Sequence, residues 1–170
     1  MKQPFTLLIT LFAALCTFAQ SISIQFLEDN TVKLNDTEIT KDTPFSDIKS
    51  LLGEPVVYKE YPTGKTNYHY EELGISIHTV NGNVSFLGVN YNWDGDKSFP
   101  ETSYSGTLVI DDTEFSKAST NAILEDIKNI EFSKIMTGFY VAKPASDSKQ
   151  NFILLGFKEE GVTQVGFELH

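Results

Sequence analysis

The chain has 170 residues and a formal net charge of −10, from 13 basic and 23 acidic residues. That length carries one good core, or two small ones sharing a sheet, and excludes two large domains. Every basic residue is Lys, so the guanidinium fork of phosphate and nucleic-acid recognition is missing, and no nucleic-acid partner is expected. One Cys permits no internal disulfide, and three scattered His make a poor metal site, so neither metal nor cofactor is expected.

Residues 1–19 read as a secretory signal peptide. Lys2 precedes an apolar run from Phe5 to Phe18, and Thr17 and Ala19 supply the small residues of a cleavage site before Gln20. A membrane anchor is the alternative, but the run is short for a span of about 20 residues. Lipidation at Cys16 is a third option, disfavoured because Leu15 stands where a small residue is wanted. The expectation is an exported chain of residues 20–170, periplasmic or extracellular, with no stable membrane anchor and no disulfide to stabilise it.

The exported part repeats itself. Asn30 to Gly53 aligns without gaps on Gly106 to Asn129 at an offset of 76 residues. Thr31 matches Thr107, Asp36-Thr37-Glu38 matches Asp112-Thr113-Glu114, and Lys41 matches Lys117. Apolar positions follow the same register, Leu34 with Ile110 and Ile48 with Leu124 among them. Such shared spacing is the mark of a duplicated module.

Taken in chain order, each copy opens with a short alternating strand into an Asn35-Asp36 or Asp111-Asp112 turn, residues that tolerate left-handed backbone. A short helix follows. In the first copy Thr43 caps it, Pro44 takes its first position, Phe45, Ile48 and Leu52 line one face, and Gly53 stops it. In the second, Ser119 or Thr120 caps a stripe of Ile123, Leu124, Ile127 and Ile130. Strands come next: Pro55 to Tyr61, Asn67 to Tyr70, Gly74 to Thr79 and Val84 to Tyr91, then Ile135 to Val141, Asn151 to Lys158 and Val162 to Leu169. A loop at 142–150 punctuates the second set. Helices of about ten residues cannot enclose a core alone, so they must lie on a sheet. The expected fold class is α+β: two tandem hairpin-helix-strands modules, 20–92 and 106–170, forming one antiparallel sheet with short helices packed on one face. The linker loop 93–105, with Trp93, Phe99 and Tyr104, is too aromatic for solvated coil and is expected to dock on the sheet.

Catalytic motifs are scarce. His69 stands near Glu71 and Glu72 but no nucleophile accompanies it, which favours a strand His beside a turn. His78 alternates with Ile75 and Ile77 and so points away from the apolar face. Asp94-Gly95-Asp96 with Glu101 lacks the ligand spacing of a calcium loop and reads as an acidic turn. Aromatic density is the one feature that points to recognition, since Tyr and Trp give rigid contact area at interfaces. The candidate partner-binding residues are Tyr68, Tyr70, His78, Trp93 and Tyr104.

The hairpin, the capped helix ending Leu51-Leu-Gly-Glu-Pro55 and the strands after it resemble exported modules of the β-lactamase-inhibitor-protein type and of small-protein-A-type assembly lipoproteins. The runs Tyr68 to Ile75, Gly82 to Val89 and Ser105 to Asp112 are similar to uncharacterised secreted proteins of Bacteroidetes-type bacteria. The second resemblance carries no known activity and the first favours binding; with the aromatic face, the expectation is a non-enzymatic binding protein that grips a protein partner, of inhibitor, immunity or envelope-assembly type. No inhibitory residue carries over. The rival reading is a small-molecule or glycan-binding module built on Trp93 and nearby Tyr residues.

Overall fold

The structure, a computed structural model, describes residues 21–142 and 150–170. The expected signal peptide, Cys16 included, and the loop between Ala142 and Gln150 lie outside the described residues.

Strand β1 (Ser23–Phe26) leads into the first copy: β2 (Val32–Leu34), β3 (Thr37–Ile39), α1 (Phe45–Leu52), β4 (Val56–Glu60), β5 (Lys65–Tyr70), β6 (Ile75–Val80) and β7 (Asn83–Asn90). The second copy gives β8 (Thr107–Ile110), β9 (Thr113–Phe115), a 3₁₀ turn at Asn121–Glu125, β10 (Phe132–Met136), β11 (Phe139–Ala142), β12 (Phe152–Lys158) and β13 (Gly161–Glu168). Both hairpin turns take positive φ at their two central residues, 48° and 64° at Asn35 and Asp36, 47° and 63° at Asp111 and Asp112. That is the mirror-image turn whose twist suits a two-residue hairpin.

The α+β expectation is overturned. The chain is mostly β, with two sheets where one was expected and one α-helix among the described residues. The hairpins do not join the sheet of the later strands. They build a five-stranded sheet of their own, ordered β3-β2-β1-β8-β9, in which β1 pairs antiparallel with β2 and parallel with β8. The other strands make an eight-stranded antiparallel sheet, β10-β11-β12-β13-β7-β6-β5-β4, with the copies joined where Gly88 faces Gly166 across β7 and β13. The small sheet thus covers the large one where helices were expected.

The core lies between the sheets. Ile24, Leu34, Leu108 and Ile110 from the small sheet join Ile75, Ile77, Leu87, Val89, Leu155 and Phe167 from the large one, all but solvent-free. Phe26 stacks on Phe167 at 5.7 Å between ring centroids. Each such aliphatic side chain contributes roughly 1.5–3 kcal/mol by burial.

Why the second helix is absent can be read from one position of the repeat. In the first copy Asn35 Oδ1 accepts from the Ser23 backbone N–H (2.9 Å) and holds the start of β1, while Gly53 N–H closes α1 onto the Lys49 carbonyl (2.8 Å). In the second, Asp111 Oδ2 accepts from the backbone N–H groups of Lys128 and Asn129 (3.1 and 2.9 Å), and its Oδ1 from Asn129 Nδ2 (2.8 Å). Those two N–H groups are ones a continuing helix would spend on its own carbonyls. Ile123 and Leu124 are left half-buried, and Ile127 alone of the expected stripe is buried.

The expected capping hydroxyls serve the turn before the helix. Thr43 Oγ1 accepts from the Thr40 N–H and Ser119 Oγ from the Ser116 N–H, both at 2.9 Å, and Pro44 stands at the N-cap of α1. The single strand expected over 135–141 is a hairpin, β10 and β11, turning at Gly138 with φ 74°.

Candidate functional site

The large sheet has two unlike faces. Tyr68 and Tyr70 of β5 pair with Ile77 and Ile75 of β6 and share their inward face. The outward face carries His69, Ser76, His78, Phe86 and Gly88 in the first copy, and Leu154, Gly156, Gln164 and Gly166 in the second, as the pairing register requires.

Across that outward face runs the loop between β7 and β8. The Ser98 carbonyl accepts hydrogen bonds from Ser76 Oγ (2.7 Å) and His69 Nε2 (3.2 Å), and Phe99 sets its ring edge against Phe86 at 6.0 Å. The loop then rounds the end of the sheet, where Asn90 Nδ2 donates to the Glu101 and Thr102 carbonyls. Gly74 makes that passage possible: a Cβ there would sit 2.5 Å from the Tyr104 nitrogen.

The five residues singled out from the sequence do not come together. Tyr68 stacks on Phe45 of α1 at 4.0 Å and is half-buried. Tyr70 is buried with its hydroxyl unpaired, and burial raises its pKa. Tyr104 is buried beside β1 and β8, its hydroxyl 2.9 Å from the Ile22 carbonyl and 3.0 Å from that of Thr107; burial raises its pKa too. His78 does point away from Ile75 and Ile77, yet that side is covered, and burial pushes its pKa down to about 3. Trp93 alone is exposed, at 41%.

On either side of the crossing loop the outward face holds a cleft. One, of about 380 Å³, lies between Tyr58 and Trp93 with His69, Glu71 and Lys97 in its walls. Both rings are mounted rigidly. Tyr58 stacks on the buried His69 at 4.3 Å and 5°, and Trp93 Nε1 donates to the Asp96 carbonyl at 3.3 Å. The other cavity, of about 220 Å³, lies under Asp96, Ser98 and Phe99, with Phe86 and Phe139 in its walls and Gly156 and Gly166 beneath. Of the site candidates, Trp93 lines the first cleft and His78 the second cavity. The available signal was the outward-facing glycine pair beside an outward-facing Phe, which lets the Phe86 ring lie against Gly166.

The remaining chemistry is structural. His69 Nδ1 lies 3.4 Å from Glu71, not Glu72, and its Nε2 is on the Ser98 carbonyl, so both ring nitrogens are engaged. Asp94 Oδ1 accepts from Asp96 N–H and Gln164 Nε2, which makes the acidic turn a clamp of the loop onto β13. Among the described residues no cluster of three His, Cys, Asp or Glu could hold a metal, and no helix is long and apolar enough to cross a membrane.

A family described as a domain of unknown function (DUF7738) matches residues 24–125. The chain belongs to that family. The matched segment begins in β1 and ends with the 3₁₀ turn, so it takes in the small sheet, β4 to β7 and the crossing loop. No curated protein matches the chain. Among solved structures it is similar to a cysteine-rich secretory protein from Staphylococcus aureus, at 12% identity and a TM-score of 0.42, over 77% of this chain. The chain spans 44% of that protein's length.

Proposed function

We propose that this chain is an exported, non-catalytic binding module that grips a protein partner through the free edge of its large sheet and the aromatic pair beside it. The observation that carries this reading is β4. All five of its residues are exposed, and three successive ones are apolar: Val56 at 57%, Val57 at 51% and Tyr58 at 41%. Among the described residues β4 is an end strand, with no strand paired on its outer side. Soluble proteins blunt such edges with charge, bulges or covering segments, because an apolar edge recruits another chain. Here Lys59, Glu60 and a bulge between Val57 and Lys59 guard the far half of the strand, while Val56 and Val57 stay apolar and exposed. Trp93 and Tyr58 add the aromatic anchors that dominate binding energy at protein interfaces. Export rests on the signal-like segment 1–19.

The test is capture. Immobilised protein is challenged with envelope and secreted fractions of the producing cell, beside a Val56→Lys, Tyr58→Ala variant and an Ile135→Lys variant at the opposite edge of the sheet. A stoichiometric partner held by the wild type and by Ile135→Lys, and lost by the β4 variant, is the expected result. A partner held equally by all three would overturn the assignment.

A second reading is favoured by the rigid mounting of Tyr58 and Trp93 about one cleft, an arrangement that suits the flat apolar face of a sugar ring, with Glu71 and Lys97 for its hydroxyls. Trp93 is the sole Trp, so saturable quenching of its fluorescence by cell-wall saccharides would move the assignment to glycan binding.

A further inference from the structure

The second cavity is separate from the β4 edge and has its own chemistry. Its floor is flat because two outward positions of neighbouring strands are glycine. At Gly166 a Cβ would stand 2.6 Å from the Phe86 ring, so Phe86 lies flat across the strip. His78 stacks on the same ring at 4.5 Å and 23°, and Phe99 closes the side from the crossing loop. Leu154 and Phe139 add apolar walls, beside the polar Ser98 and Gln164.

Beside these walls the sheet places a polar group with nothing to bond. His78 lines the cavity, is nine-tenths buried, and its Nε2 has no hydrogen-bond partner among the described residues. Buried polar atoms are nearly always paired, so an imidazole without a partner at a cavity wall calls for a matching group. An imidazole nitrogen donates or accepts according to its tautomer, and a hydroxyl answers either.

Size and charge narrow the class. A cavity of about 150 Å³ lined by apolar side chains accepts benzene, so about 220 Å³ leaves room for a ring and one small substituent. The ionisable groups at its rim are Lys65, Asp96 and Glu168, a balance that disfavours a carboxylate or phosphate.

We propose that this cavity is a binding site for a small uncharged aromatic alcohol, its ring against Phe86, Phe99 and Phe139 over the glycine floor and its hydroxyl directed to His78.

The experiment is a titration of the isotope-labelled protein with phenol and, separately, with toluene, followed by amide chemical shifts. Phenol should give saturable shifts centred on Phe86, Gly156 and Gly166, and should bind about three- to tenfold tighter than toluene, the worth of one hydrogen bond. In His78→Phe the two probes should bind alike. Leu154→Trp, which fills the cavity from its floor, should abolish binding of both while the spectrum stays dispersed. The proposal is overturned if millimolar phenol does not saturate, if its shifts centre on Tyr58 and Trp93, if folded His78→Phe keeps the phenol preference, or if folded Leu154→Trp still binds.

Discussion

The two faces of the eight-stranded sheet are made from alternate residues of the same strands and serve different ends. Inward, Ile75, Ile77, Leu87, Val89, Leu155 and Phe167 form an unbroken aliphatic layer under the small sheet. Outward, glycines alternate with rings and hydroxyls, and a loop held through Ser98, Phe99 and Asp94 crosses the face. The lesson is that a duplicated chain can concentrate its stability between two sheets and leave the far face of the larger one open to clefts. Aromatic residues close in sequence then part company: Tyr68 and Tyr70 go to the core, while Tyr58 goes to the surface.

The sharpest way to break this contrast uses two adjacent leucines of β12. Leu155 is fully buried inward and Leu154 half-buried outward. Leu155→Ala should cost about 2–5 kcal/mol in urea unfolding and Leu154→Ala about 1 kcal/mol or less. Equal losses would mean that the outward face also carries the fold.

His78 sharpens the contrast from the outward side. Burial first, then Lys65 and His69, lower its pKa from 6.5 to about 3. Between those values the unfolded chain takes up a proton that the folded one refuses, so this His makes stability fall as pH drops from about 6.5 toward 3. The loss is on the order of 2–4 kcal/mol, and unfolding of His78→Phe at pH 7 and pH 4 should show it removed. An unchanged pH slope would place His78 in contact with water.

A smaller effect probes how the small sheet is tied down. Asp111→Ala removes the acceptor of three hydrogen bonds and should cost about 1–2 kcal/mol. Its carboxyl is held below the usual 3.8, chiefly by the Asn129 side chain. That contribution is present above pH 3.8 and is lost as pH falls through the lower folded value. Acid titration of wild type against Asp111→Asn is the measurement.

What the sequence disclosed was local. The repeat, both hairpin turns and most later strands follow from residue spacing and from the left-handed tolerance of Asn and Asp. What it concealed depends on partners far along the chain. Asp111 draws in the N–H groups of Lys128 and Asn129 across 17 and 18 residues, and no local pattern announces a helix unmade that way. The separation into two sheets hangs on β1, whose parallel register with β8 joins residues more than 80 positions apart. Among the candidate site residues, only Trp93 proved exposed. The burial of Tyr70 was hidden because a strand buried on both faces loses the alternation that marks a core residue, and that of Tyr104 because a loop residue is carried inward by bonds to Ile22 and Thr107 that no local pattern announces.

The claim that the inward face stabilises and the outward edge recognises is tested most directly by the unfolding free energies of four alanine variants compared side by side. Tyr70→Ala and Tyr104→Ala should each lose about 2–4 kcal/mol, as buried aromatics do, whereas Tyr58→Ala and Trp93→Ala should stay within about 0.5 kcal/mol of wild type. Losses of similar size in all four would contradict the account, because Tyr58 and Trp93 would then be packing residues and no longer available to a partner.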